Sequence, residues 1–189
     1  MGFDYLNGKN WKDVTRDERT YCAELFFVVK QDVHQFVKWL NEKVSLNLSQ
    51  EELELEWEIG YEVCFYRDVR KFQGKAIKGS GYSQKRTFDL CLFSENRIVV
   101  IEAKSQTGFG GDQNDEFDKD PEQILKLLNR TRDDLQVNVV GLASSKYLNS
   151  ARRKELPASF DGMCFSWKDV FESYCRRQIF LNADNCFGN

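Results

Sequence analysis

The chain has 189 residues, 41% of them hydrophobic and 30% charged, with a formal net charge of −3. That length supports one domain, spanning 1–189, with a full core, and the negative charge excludes a polycation drawn to nucleic acid by its net charge. No run approaches roughly eighteen uncharged apolar residues, and Asp4, Lys9 and Lys12 among aromatics make no signal peptide, so the expectation is a cytoplasmic protein with no membrane partner.

The six cysteines, at 22, 64, 91, 164, 175 and 186, form no C-x-x-C pair, so neither a zinc site nor a disulfide framework is expected. Cys22, Cys64 and Cys91 fall in apolar runs and read as small hydrophobes. Charge is unevenly distributed. Between Arg67 and Phe88 seven basic residues face Asp68 alone, whereas Glu51 to Glu62 and Asp112 to Glu122 are acidic.

In chain order, residues 1–14 carry Phe3, Tyr5, Leu6 and Trp11 and read as a packed arm. A helix is expected from near Thr15 to about Lys43, because Cys22, Leu25, Val29, Val33, Phe36 and Leu40 recur at helical spacing. Glu18 lies on that stripe, and Thr15-Arg16-Asp17-Glu18 also fits a capping box. His34, the one histidine, reads as a partly buried or surface side chain rather than a catalytic one. Residues 45–58 read as a second helix or an irregular acidic connection, and Tyr61 to Val69 as a first strand.

Lys71 to Arg86 holds three glycines and reads as a flexible loop. It lacks the Gly-Lys-Ser/Thr ending of a nucleotide-binding loop. Arg70, Lys71, Lys75, Lys78, Lys85 and Arg86 suit contact with a phosphate backbone; a solvated basic loop is the plain alternative.

Two apolar runs follow, Phe88 to Phe93 and Ile98 to Ile101, separated by Ser94-Glu95-Asn96: a hairpin whose second strand is apolar on both faces and suits the centre of a covered sheet. After it, Gly108-Phe109-Gly110-Gly111 lacks the dinucleotide fingerprint and reads as a loop beside the hairpin end, and the acids from Asp112 to Asp120 miss calcium-loop spacing and read as a solvated run. A helix is expected to start at Asp120-Pro121, then a buried strand at Val137 to Ala143 in parallel with the hairpin. Ser144 to Tyr147 fit either phosphate contacts or a helix cap. Trp167 to Phe180 reads as a closing amphipathic helix.

The chemistry gathers at the hairpin end. Antiparallel pairing sets Asp89, at the start of one strand, beside Glu102 and Lys104, at the end of the other. Two carboxylates and an ammonium at the corner of a buried sheet are costly unless used. Carboxylate oxygens completed by water suit Mg²⁺, and a lysine beside the ion can hold an attacking water.

Asp89, Glu102, Ala103 and Lys104 resemble the PD-(D/E)xK motif of the restriction-endonuclease-like superfamily, with Phe88 standing where that motif has Pro. The resemblance covers about residues 15–147 and implies an α/β fold: a three-layer α/β/α core in the order α-β-β-β-α-β, with a mixed central sheet and N- and C-terminal additions. It implies Asp89, Glu102 and the Ala103 backbone carbonyl as metal ligands, Mg²⁺ as cofactor with Mn²⁺ able to substitute, and Lys104 as the catalytic lysine. Glu18 matches an acidic residue that many relatives carry on the helix before the sheet, so a metal-site role stands beside the cap. The implied activity is endonucleolytic hydrolysis of DNA, in a restriction or defence setting; cutting a duplex would need two such corners, so a homodimer is expected. The alternative is a nucleic-acid-binding or assembly protein that keeps the fold without catalysis.

Overall fold

A computed structural model describes residues 2–8, 17–74, 85–110, 113–151 and 156–188. Helix α1 is Asp17–Val29 and α2 is Val33–Lys43. The single helix expected from Thr15 to Lys43 is therefore two. The apolar stripe runs on through both, but Asp32 ends the first: its carboxylate accepts the Gln35 N–H at 2.9 Å and caps α2. In 45–58 only α3, Gln50–Leu53, is helical, and a Ser49–Glu52 capping box starts it.

Strand β1 is Glu58–Val63, followed at once by helix α4, Phe65–Gln73. The expected strand from Tyr61 to Val69 is corrected at Val63. Glu62 turns the chain with φ of 49°, and Asp68 accepts the Cys64 N–H at 3.0 Å, which starts a helix whose Phe65 and Tyr66 are buried. Lys71 accordingly lies in α4 and not in a loop.

The hairpin is as expected: β2 is Phe88–Phe93 and β3 is Arg97–Ala103, paired antiparallel. Helix α5, Gln113–Leu128, starts seven residues earlier than the Asp120-Pro121 signal and carries Pro121 inside it. Asp120 is no cap, because its carboxylate is taken by Arg86. Strand β4, Gln136–Ala143, runs parallel to β3 as expected. Then come α6, Ser145–Leu148, a three-residue strand β5, Cys164–Ser166, parallel to β4, and α7, Trp167–Asp169. A π-helical turn over Val170–Tyr174 and a break precede α8, Gln178–Asn185, so the expected closing helix is two short ones.

The fold is α/β, with eight helices among the described residues and a five-stranded mixed sheet in the order β1-β2-β3-β4-β5. Helices cover both faces, and β3 shows how. Val99, Ile101 and Ala103 join Cys22, Leu25, Phe36 and Trp167 on one side; Ile98 and Val100 join Phe65, Phe117 and Ile124 on the other. Every residue of β3 is buried, as suits its apolar run Ile98 to Ile101, and Arg97 and Glu102 at its ends are buried with it. Among the described residues no helix is long and apolar enough to cross a membrane.

Candidate active site

The sheet register places the charged residues. The last β2–β3 pair is Leu90 with Ile101, so the next step sets Asp89 opposite Glu102. On the other side Tyr61 pairs with Leu90 and Val63 with Phe88, which sets Glu62 opposite Asp89. Glu62, Asp89 and Glu102 thus form a row across three strands. Beyond the last backbone pair, the Asp89 Oδ2 accepts the Ala103 N–H at 2.8 Å, a side chain doing what the missing ladder bond would have done.

Lys104 leaves the strand with its backbone held at both groups: its N–H donates to the Leu142 carbonyl at 2.7 Å, and its carbonyl accepts from the Trp167 indole at 3.1 Å. Its Nζ lies 3.6 Å from Glu102 Oε1 and 3.7 Å from Glu18 Oε1. Glu18 comes from α1 and also accepts the Ser105 N–H at 3.1 Å. It therefore reaches the corner; the capping box with Thr15 lies outside the described residues.

These groups are strongly perturbed. Burial pushes the Glu102 carboxyl up to about 8, and Asp89 beside it adds to the shift against Lys104 and Arg86. Burial pushes Asp89 up to about 6, opposed by the bond from Ala103 and reinforced by Glu18. For Lys104, burial works against the ammonium, but Glu102, Glu18 and Asp89 outweigh it and hold its pKa above the usual lysine range. Glu102 is only 6% exposed, and its Oε2 is buried with no hydrogen-bond partner. An orphaned carboxylate oxygen at that depth is expensive, and a hard cation there would offset the cost. Among the described residues, no three or more His, Cys, Asp or Glu side chains form a ready-made metal-binding group. The donors that fit an ion are two carboxylates with water, which is the sparse protein coordination Mg²⁺ accepts.

Asp89, Glu102, Lys104 and Glu18 line a cleft of about 370 Å³ together with Arg19 and Glu62. Lys85, Arg86, Thr87 and Glu116 complete its wall. Arg19 and Glu62 were not legible as site residues in the sequence. Glu62 becomes visible only through the β1–β2 register, and Arg19 through its place next to Glu18 at the start of α1.

The basic residues fare unequally. Arg70 and Lys71 are exposed on α4, and Lys85 is exposed on the cleft wall. Lys75 and Lys78 lie outside the described residues. Arg86 lines the cleft and clamps a neighbour: its Nη2 sits 2.7 Å from the buried Asp120 carboxylate, and its guanidinium stacks over Phe88 at 5.0 Å and Phe117 at 4.7 Å.

Ser144, Ser145 and Tyr147 are tied into the fold, and Lys146 is exposed. Ser144 caps α6, Ser145 binds Asp184 through both its N–H and hydroxyl, and the buried Tyr147 donates to the Phe109 carbonyl at 3.0 Å. The loop after the hairpin is pinned too, since Phe109 is buried and Gly108 packs on the Tyr147 ring. His34 is partly buried on α2. Comparison with protein-family models, curated proteins and solved structures finds no match to this chain.

Proposed function

We propose that this protein is a metal-dependent nuclease that hydrolyses DNA phosphodiester bonds on a restriction-endonuclease-like core. The observation that carries the reading is the meeting of Asp89, Glu102, Lys104 and Glu18 in one cleft, from three separate stretches of chain, around a buried carboxylate oxygen without a partner. The helix, strand and hairpin order and the parallel β3–β4 crossover agree with that core, with α4 as an insertion between its first two strands.

Asp89 and Glu102 would hold Mg²⁺, with the Ala103 carbonyl as a third ligand and Mn²⁺ as a substitute. When bound, the ion would lower the pKa of an attacking water and take up charge on the scissile phosphate. Lys104 stays protonated at neutral pH, since its carboxylate neighbours hold its pKa up, so it serves as a donor that orients water and offsets developing charge rather than as a base. Glu18 holds Lys104 in place and ties the segment after it to α1 through Ser105. The product would carry a 5′-phosphate and leave a 3′-hydroxyl. Cleavage of both strands requires two such corners, so the working form is a homodimer. A cytoplasmic restriction or defence role fits that chemistry by analogy.

Purified protein incubated with linear, circular and single-stranded DNA in Mg²⁺ or Mn²⁺ tests the proposal. Cleavage should appear with the metal, stop in EDTA and be lost in Asp89→Ala and Lys104→Ala. Cleavage that persists in EDTA ends the metal mechanism; binding without cleavage under every metal leaves the non-catalytic alternative.

A further inference from the structure

We infer that Arg19 grips a phosphate of the bound strand at the mouth of this cleft and that Glu62 holds it ready; the inference rests on the nuclease reading and adds a substrate-positioning residue to it. Five carboxylates and four cations line the cleft, so a polyanion can settle there only where a cation is presented free of buried partners. Arg86 is committed to the buried Asp120, Lys104 lies between Glu102 and Glu18, and Lys85, exposed on the wall, carries a single ammonium rather than a planar fork. Arg19 differs. Its side chain is 74% exposed, and its closest ion pair, Nε to Glu62 Oε1 at 3.2 Å, is with a carboxylate that is itself 39% exposed rather than with a buried one.

Its position is fixed from below. The Tyr61 hydroxyl donates to the Arg19 carbonyl at 3.2 Å, tying the first turn of α1 to β1. Glu18, its neighbour in sequence, reaches Lys104, and Glu62, its partner, stands opposite Asp89 in the strand register. A guanidinium held there lies beside the reacting corner and fits a phosphate through its planar fork. An exposed ion pair contributes little to stability, so exchanging Glu62 for a phosphate costs little. Glu62 thus orients Arg19 in the free protein and competes with substrate for it.

Binding of a fluorescent DNA duplex is measured in EDTA, where hydrolysis cannot run, across a range of salt concentrations. Arg19→Gln should weaken binding about tenfold and reduce the salt slope by about 1. Arg19→Lys should keep the slope while losing part of the affinity, because the charge remains and the fork does not. Glu62→Gln should tighten binding, and that gain should vanish in the Arg19→Gln background. Both single variants should melt close to the wild type, which separates this role from a merely structural ion pair. Wild-type binding that Arg19→Gln leaves unchanged overturns the inference alone; equal tightening by Glu62→Gln in both backgrounds removes the holding role. A wild type that binds no DNA at any salt concentration in EDTA overturns the inference, and one that also fails to cleave DNA in Mg²⁺ or Mn²⁺ overturns the nuclease reading.

Discussion

The Asp89 carboxylate closes its own hairpin, accepting the Ala103 N–H at 2.8 Å one step past the last backbone pair. One Asp89 oxygen is thereby fixed by a hydrogen bond from the backbone of the strand that carries Glu102. That arrangement opposes the stability of the protein without a cation, because both acids are buried, Asp89 disfavours the charge on Glu102, and Glu18 and Glu62 disfavour the charge on Asp89.

Neutralising one of the pair should therefore stabilise the metal-free protein while destroying activity. Asp89→Asn keeps an acceptor for the Ala103 N–H and removes a buried charge. We expect it to unfold at higher urea than the wild type in EDTA, by about 1–3 kcal/mol, and to lose the stabilisation that added Mg²⁺ confers on the wild type. A metal-free variant less stable than the wild type would show that the charge on Asp89 is compensated in the folded state.

The same pair sets a pH dependence. Folding raises Asp89 from 3.8 to about 6 and Glu102 from 4.5 to about 8, so the native state binds more protons than the unfolded chain across that interval. Stability is then fully present below the unfolded pKa values and falls as pH rises through the folded ones. Metal-free protein should lose stability between about pH 4 and about pH 8, read as a falling urea midpoint. The decline should flatten in Asp89→Asn/Glu102→Gln and in saturating Mg²⁺. A midpoint that climbs over this range in EDTA contradicts the assignment.

Arg86 should behave as structure. It is 10% exposed against Asp120 at 2% and lies between two phenyl rings, so Arg86→Ala strands a buried carboxylate and should cost about 3–5 kcal/mol. Asp120→Asn in the same background should recover part of that loss, measured by a denaturant double-mutant cycle. Additive costs would mean that the two side chains do not depend on each other.

Gly108 should not tolerate a side chain. A Cβ there would lie 2.1 Å from the ring of Tyr147, which is fully buried and hydrogen-bonded to Phe109. Gly108→Ala should cost about 1–3 kcal/mol, and Tyr147→Leu, by opening space while losing the hydroxyl bond, should lessen the penalty of adding the methyl. Chemical denaturation of the two single variants and the double variant decides it.

The amino-acid sequence alone was enough for the centre of the sheet and for the three residues that meet at its corner. Ile98 to Ile101 and Val139 to Ala143 hold no polar side chain on either face, which suits a covered strand, and Asp89, Glu102 and Lys104 follow from hairpin pairing and a period of two. Local capping decided what periodicity obscured: Asp32 splits the first helix and Asp68 starts α4, both within four residues of the groups they bind. Only the tertiary structure could bring Glu18 to Lys104, Glu62 opposite Asp89 and Arg19 to the cleft mouth, or turn Arg86 from a solvent cation into a clamp on Asp120. Those relationships join residues dozens of positions apart. They depend on which strand neighbours which and in what register, and that choice is made by burial of the whole core rather than by any local pattern.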